Sequence, residues 1–466
     1  MSLTRSIAKN TAYLTIGKVI STVLGVITVA LLLRYLSPDD YGRYTTAIAF
    51  VLLLGTITDF GLNLTTTQDI SLPDTDTAKT LSSVFTFRLL ANIILMALLP
   101  FILNWFPYEP IVKQAILILA ILFFSTTLFQ VLASYFQSTL QTNKVAIADL
   151  AGKIALFILT VLAVKQHYSF NEIMLTISLA SLIQLWLLIH FLNKKIKLEL
   201  SIDWDVWKRI MAKTWPIAVS VVFTTIYFKG DTLILSLTRP YADVGIYGAA
   251  YKILEVLISL PILFMGLVLP QLARSWGEGD KPKFGRLLQK AWDGLCLFTL
   301  PMVAGTLVLA KPIIVLIAGP GYEPAAAVLQ ILIVATGIIF LGSLFTHAIV
   351  AVNEQKNMIV YYLIAAIVAV ALYIKFIPLY SYYAAAWTTV AAEFLISLAA
   401  FYRVKKQSAF KLSLASFGKT FLASIFMAGA IYYLPAWPLY VLIPAGAAVY
   451  ALTAWFVKAW PHSFQS

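Results

Sequence analysis

Fourteen apolar stretches, each 20 residues or longer, follow one another between residues 11 and 458. An α-helix needs about 20 mostly apolar residues to cross the roughly 30 Å hydrocarbon core of a bilayer. A water-soluble fold cannot bury so many such segments. The composition agrees: 61% of the 466 residues are apolar and 12% are charged, against about 45–50% and 25% in a soluble domain. Transmembrane strands would alternate in short segments of about 10 residues, whereas these runs are continuous. The expected fold is therefore an all-α polytopic membrane protein with about 14 transmembrane helices and no large water-soluble domain. The spans are expected near 11–36, 43–63, 81–104, 111–136, 145–164, 171–192, 214–237, 243–269, 287–310, 325–350, 357–377, 380–402, 414–434 and 437–458. Turn residues such as Ser37-Pro38-Asp39-Asp40 and Gly319-Pro320-Gly321 mark several breaks.

The net charge of +13 would suggest nucleic acid in a soluble protein. Here its placement matters, because Lys and Arg gather in cytoplasmic loops. With the N-terminus inside, inner loops, tails and nearby helix ends hold 23 Lys and Arg, and the outer ones hold seven. Both termini are thus expected in the cytoplasm, and no nucleic-acid partner is needed. The N-terminal segment lacks a signal-peptide cleavage site and is expected to stay as the first span. The loops at 193–213 and 271–290 would also sit well on anionic lipid. The single cysteine, Cys296, excludes an intrachain disulfide and a Cys-based metal cage.

The two halves repeat. Tyr41-Gly42-Arg43-Tyr44 matches Val244-Gly245-Ile246-Tyr247, Asn143-Lys144 matches Gln355-Lys356, Tyr168-Ser169 matches Tyr380-Ser381, and Lys194-Lys195 matches Lys405-Lys406. The offsets, 203 to 212, agree within loop insertions. Six spans per repeat give both halves the same orientation, related by an axis along the membrane normal. The expected organisation is an N-terminal six-helix bundle (1–192), a basic linker (193–213), a second six-helix bundle (214–402), and a basic loop with two extra helices (403–466). Two similar bundles suit alternating access.

Polar and small residues recur on four spans: Thr11, Thr15, Lys18, Thr22, Gly25 and Thr28; Thr126, Gln130, Ser134, Gln137 and Gln141; Ser220, Thr224, Tyr227 and Asp231; and Gly248, Lys252, Glu255 and Ser259. Such stripes face either a partner helix or a wet cavity. Lys18 either snorkels or lines a cavity. Lys153 either pairs locally with Asp149 or serves a site, and Lys252 has the same choice with Glu255. Lys229 and Asp231 are two apart and cannot face each other on an ideal helix. Arg88 is a topology marker or a substrate contact. Glu393 is the most isolated intramembrane acid, and His347 reads first as a packing residue. No GxSxG, HExxH, P-loop or CxxC motif occurs, and His167, His190, His347 and His462 lack metal-ligand spacing. No catalytic residue, metal or cofactor is expected, and the chain reads as a transporter rather than an enzyme. Transport would then be driven by an ion such as H+ or Na+, by membrane potential or by the substrate gradient.

Leu36-Ser37-Pro38-Asp39-Asp40-Tyr41-Gly42-Arg43-Tyr44, followed by Asp59-Phe60-Gly61-Leu62, resembles the polysaccharide repeat-unit flippases of the Wzx type. Their superfamily also holds the lipid II flippases and the multidrug and toxic compound extrusion transporters. The blocks Val244–Lys252, Leu269-Pro270-Gln271-Leu272 and Gly321–Leu332 extend the resemblance over about residues 1–405. It implies an inner-membrane flippase that moves a polyprenyl-diphosphate-linked oligosaccharide to the outer leaflet. The lipid bilayer is its medium, and glycan polymerase machinery is a further candidate partner. The head group needs a wet path with cations for phosphate and hydroxyls or amides for sugar. Lys18, Thr22, Arg88, Lys153, Lys229 and Lys252 are the substrate-binding candidates, and Asp231, Glu255 and Glu393 are the coupling-ion candidates. A drug or cation antiporter and a lipid II flippase remain the alternatives. An acid in the first span would mark the antiporter branch, and here that span carries Lys18.

Overall fold

In hydrocarbon each backbone N–H and C=O must find a partner within its own segment or in a closed barrel. The computed structural model describes residues 3–59, 61–73, 75–408, 410–434 and 437–459, and among them no strand occurs. The first half holds α1 (Leu3–Tyr35), α2 (Pro38–Asp59), the short α3 (Leu62–Ile70), α4 (Thr77–Asn104), α5 (Pro110–Ser138), α6 (Thr142–Lys165) and α7 (Phe170–Asn193). The rest holds α8 (Trp204–Thr238), α9 (Tyr241–Gly277), α10 (Lys281–Ala318), α11 (Ala325–Ala351), α12 (Gln355–Ser408), α13 (Ala415–Tyr433) and α14 (Leu439–Phe456). Ten of these helices are long and apolar enough, over their described residues, to cross a membrane. The expected spans 357–377 and 380–402 both lie in α12. They meet without a loop at Ser381, whose backbone leaves the helix (φ 52°, ψ −137°). Helix α3 was not expected from the sequence, because nine residues are too few to register as a span.

The chain divides into two compact units, Met1–Gly245 and Ile246–Ser466. In the first, α5 packs on α2, α3, α4 and α7, α1 packs on α6, and α8 packs on α2, α3 and α4. Its core holds Leu81, Phe85, Leu132, Phe136, Leu185 and Leu188, all buried. In the second, α11 lies between α10 and α12, around Phe284, Leu288, Trp292, Leu344, Phe345 and Val404. Helices α13 and α14 join α10 through Leu309, Met427, Ile431 and Leu442. Both units expose large apolar side chains along whole helices, among them Ile158, Leu162, Leu263, Leu267, Phe394 and Leu398. Water would not tolerate this, and lipid tails do. Cys296 is fully buried in the second core. A maleimide is expected to leave it unlabelled until the protein is denatured, as mass spectrometry can check.

Helix ends follow local chemistry. Asp76, Asp203 and Asp280 cap α4, α8 and α10 by accepting backbone N–H groups, and Ser169 with Glu172 forms a capping box at α7. Helix α8 starts inside the basic 193–213 segment and runs through residue 214 without a break. The turn after α5 and the turn after α11 close alike. Leu140 and Asn353 both take positive φ (55° and 58°). The next amide returns to the helix in each case, Gln141 to the Phe136 carbonyl (2.8 Å) and Glu354 to the Ile349 carbonyl (3.0 Å). This Schellman-type closure recurs beside Asn143-Lys144 and Gln355-Lys356, the repeat marks read from the sequence.

Candidate functional site

The start of α2 meets the corner between α8 and α9 inside the first unit. A Cβ on Gly42 would stand 1.8 Å from the Tyr241 carbonyl oxygen, and a Cβ on Gly245 would stand 2.0 Å from the Pro38 carbonyl oxygen. The contact is reciprocal, because Gly42 matches Gly245 in the repeat and Pro38 lies four residues before it, as Tyr241 does before Gly245. Only residues without a side chain permit so close an approach of two backbones. Polar contacts surround it. Arg43 bridges Asp40 (2.7 Å) and Glu109 (3.1 Å) and lies 5.6 Å over the Tyr241 ring. The Tyr108 and Ser236 hydroxyls share a hydrogen bond (3.0 Å). Sequence reading found the Gly42 and Gly245 motifs as repeats, but not that they meet.

A second cluster lies at the far end of α2 and α3. The Asp69 side chain, 1% exposed, receives Arg209 Nη2 (3.0 Å) and Lys213 Nζ from α8. Burial alone would raise the Asp69 carboxyl, but Lys213 and Arg209 outweigh it and hold the carboxyl below its ordinary value. Thr65 and Thr214 share a hydrogen bond (2.8 Å), Trp207 Nε1 donates to the Ser83 carbonyl (3.0 Å), and Lys79 pairs with Asp203 (2.7 Å). The basic segment before the seventh span is therefore fastened to α3 and α4. Arg209 and Lys213 sit four apart, on one face of a helix. That spacing was visible in the sequence, but their acid, 140 residues away, was not.

The sequence-predicted residues fall as follows. The side chains of Thr11, Thr15, Lys18, Asp59, Ser220, Thr224 and Tyr227, and all of Phe60, lie outside the described residues. Thr22 is half-buried on α1, Lys153 half-buried on α6 and Lys229 half-buried on α8. Arg88 is fully buried on α4. Asp231 is buried, and its carboxylate accepts from the Thr232 backbone and hydroxyl. Asp149 accepts from Gln184 Nε2 (3.1 Å). On α9, Lys252 Nζ lies 2.8 Å from Glu255 Oε2, with both side chains about two-fifths exposed or less. Glu393 is buried on α12, and His347 Nδ1 meets the Ser343 carbonyl (2.7 Å) as a packing residue. Of the α5 stripe, Ser134 donates to Asn63 Oδ1 (2.7 Å) and Gln137 accepts from Thr67 (3.3 Å). Those two positions thus form a seam with α3 (Leu62–Ile70) rather than a free polar face.

Residues 7–276 match the family model described as polysaccharide biosynthesis protein, and residues 216–374 match the MatE model. The "Putative O-antigen transporter" of Escherichia coli (strain K12) is 23% identical over 407 residues, covering 84% of this chain and 95% of that protein. Among solved structures, the lipid II flippase MurJ in an inward closed conformation superposes with a TM-score of 0.79 at 18% identity. That match covers 96% of this chain and 98% of the other. An inward-facing multidrug resistance MATE family transporter of the MOP superfamily gives a TM-score of 0.72 at 13% identity, covering 83% and 94%. The fold is thus like that of membrane transporters. With more than half of its residues matched by the first model, the chain belongs to the polysaccharide biosynthesis protein family.

Proposed function

We propose that the protein moves a polyprenyl-diphosphate-linked oligosaccharide from the inner to the outer leaflet of the cell's inner membrane by alternating access. On this reading both termini are cytoplasmic, and the joint of Gly42 with Gly245 lies at the outer end. The observation that carries the reading is the Lys252–Glu255 pair, two half-exposed charges held 2.8 Å apart on a membrane helix. Charges inside a span are costly and mark substrate or ion paths. A diphosphate carries more negative charge than one carboxylate. It would draw the Lys252 ammonium from Glu255 in a charge-assisted contact, and the loss of that cation would favour uptake of a coupling proton or Na+ by Glu255. Lys18, Thr22, Arg88, Lys153 and Lys229 complete the proposed substrate set, and Asp231 and Glu393 complete the coupling set.

A groove of about 510 Å³ between α10 and α13 supports the lipid half of the substrate. It is lined by apolar side chains such as Leu300, Val303, Leu307, Phe421 and Ile425. An isoprenoid chain suits such a wall. In proteoliposomes, Lys252→Ala is expected to cut lipid-oligosaccharide transport at least tenfold, and Lys252→Arg to keep most of it. Equal transport by Lys252→Ala and wild type, with equal insertion, would remove Lys252 from the substrate path. The MatE match over residues 216–374 favours a second reading, a drug or cation antiporter. Efflux of a cationic dye without transport of glycan lipids would support it.

A further inference from the structure

The break in α12 is a strained position. Ser381 is buried, is not glycine, and has φ 52° with ψ −137°. Such backbone outliers persist where surrounding structure holds them, and they cluster at functional sites. This one sets four aromatic rings around a cavity of about 540 Å³: Phe376 and Tyr380 before the break, Tyr383 and Trp387 after it. Tyr380 is 62% exposed, Trp387 57% and Tyr383 41%. Tyr383 also lines a neighbouring cavity of about 450 Å³ with Lys311, Glu323 and Gln330. There Lys311 Nζ lies 2.6 Å from Glu323 Oε1, and both side chains are more than half exposed.

From this juxtaposition we propose a carbohydrate-binding site on the second unit, separate from Lys252 and formed by the aromatic cavity and the adjoining ion pair. The chemistry selects among ligands. The aromatic cavity by itself, lined also by Leu372, Ala384 and Ala391, would suit hydrocarbon, but an acyl chain gains nothing from the adjoining wall with its ion pair and the Gln330 amide. A phosphate needs net positive charge, and here Glu323 already balances Lys311. A neutral sugar has apolar ring faces for Tyr and Trp and hydroxyl edges that both donate and accept. Lys311 supplies donors, Glu323 acceptors, and the phenols both. Among the described residues, no hydrogen bond engages the Tyr380 or Tyr383 hydroxyl or the Trp387 indole, so their polar tips are available. The inference deepens the flippase reading and rests on it in one respect. On the orientation proposed above, α10 ends and α11 starts on the outer side, where a flipped glycan arrives.

The test is saturation-transfer NMR on the full chain in nanodiscs, with maltotetraose and chitotetraose as neutral probes and inorganic phosphate as the charged competitor. At least one oligosaccharide should receive saturation. The signal should fall at least fivefold in Trp387→Ala and in Tyr383→Ala, fall in Glu323→Gln, and persist in Lys252→Ala and with phosphate present. No transfer to either sugar would overturn the proposal, as would transfer that the Trp387 and Tyr383 variants leave unchanged. A phospholipid that co-purifies with wild type but not with Trp387→Ala, seen by native mass spectrometry, would assign the cavity to lipid and overturn it as well. If transport of glycan lipid fails while sugar binding stands, the flippase reading falls and this site does not. Loss of both in Trp387→Ala with native-like thermal unfolding is the result expected if the site receives the flipped head group.

Discussion

Replacing Gly42 or Gly245 by alanine should reduce transport at least tenfold, although each adds a single methyl group. A Cβ at Gly42 would lie 1.8 Å from a backbone oxygen, and one at Gly245 2.0 Å from another. Both obstacles are main chain, so no rotamer change relieves them, and overpacking of this kind costs about 1–3 kcal/mol or more. The closed joint between α2 and the α8–α9 corner should give way first. Its neighbours, the Arg43 bridge to Asp40 and Glu109 and the Tyr108–Ser236 hydrogen bond, would part with it. The matched controls are Gly25→Ala and Gly266→Ala, whose added methyl groups would meet nothing within 4 Å. They should transport as wild type does. Thermal unfolding and insertion, measured for all four, separate loss of the joint from loss of the fold. Transport by Gly42→Ala equal to that of Gly25→Ala would mean that the joint has no part in the cycle.

The second large effect is expected at Asp69. Asp69→Asn removes the charge that Arg209 and Lys213 share, and hydrogen bonds to charged groups are worth about 1.5–3 kcal/mol when lost. Both cations are nearly half exposed, so water recovers part of this, and about 2 kcal/mol is the expected local loss. That energy corresponds to roughly a 30-fold rise in the open population. Trypsin cleavage after Lys208 and Arg209 needs α8 to unwind, and its rate should rise by a similar factor. The sign of the pH effect follows from the lowered carboxyl. The Asp69 contribution is complete above the ordinary carboxylate value of about 3.9 and is lost as pH falls through the lower folded value. Scaled to trypsin's rate on an unstructured peptide at each pH, wild-type cleavage should therefore stay unchanged from neutral to about pH 5. Asp69→Asn should show its faster cleavage throughout that range. Wild-type cleavage already rising between pH 7 and 5 would remove Asp69 from the fastening of this segment.

The helices were legible because hydrocarbon imposes a length and a composition that few other folds share. The ranges 171–192 and 325–350 fall within a residue or two of α7 and α11. The repeat was legible through turn residues, and the structure adds the paired left-handed turns at Leu140 and Asn353. Contacts across long sequence distances were not. Asp69 sits in a run of Thr and Gln that reads as loop, and nothing near it points 140 residues ahead to Arg209. The α5 stripe was ambiguous for the same reason: Ser134 and Gln137 face α3, a helix too short for a span-length window to register. The Lys252–Glu255 pair was legible because it is local, three residues apart on one helix. The aromatic cavity at the α12 break was missed because its rings look like an ordinary interfacial belt, and only the conformation of Ser381 groups them.

The most direct measurement is leaflet transfer of a fluorescent polyprenyl-diphosphate oligosaccharide by the wild-type protein in proteoliposomes, run beside efflux of a cationic dye. Transfer of the lipid-linked glycan without dye efflux is the result this account predicts. Dye efflux with no movement of any glycan lipid would contradict it.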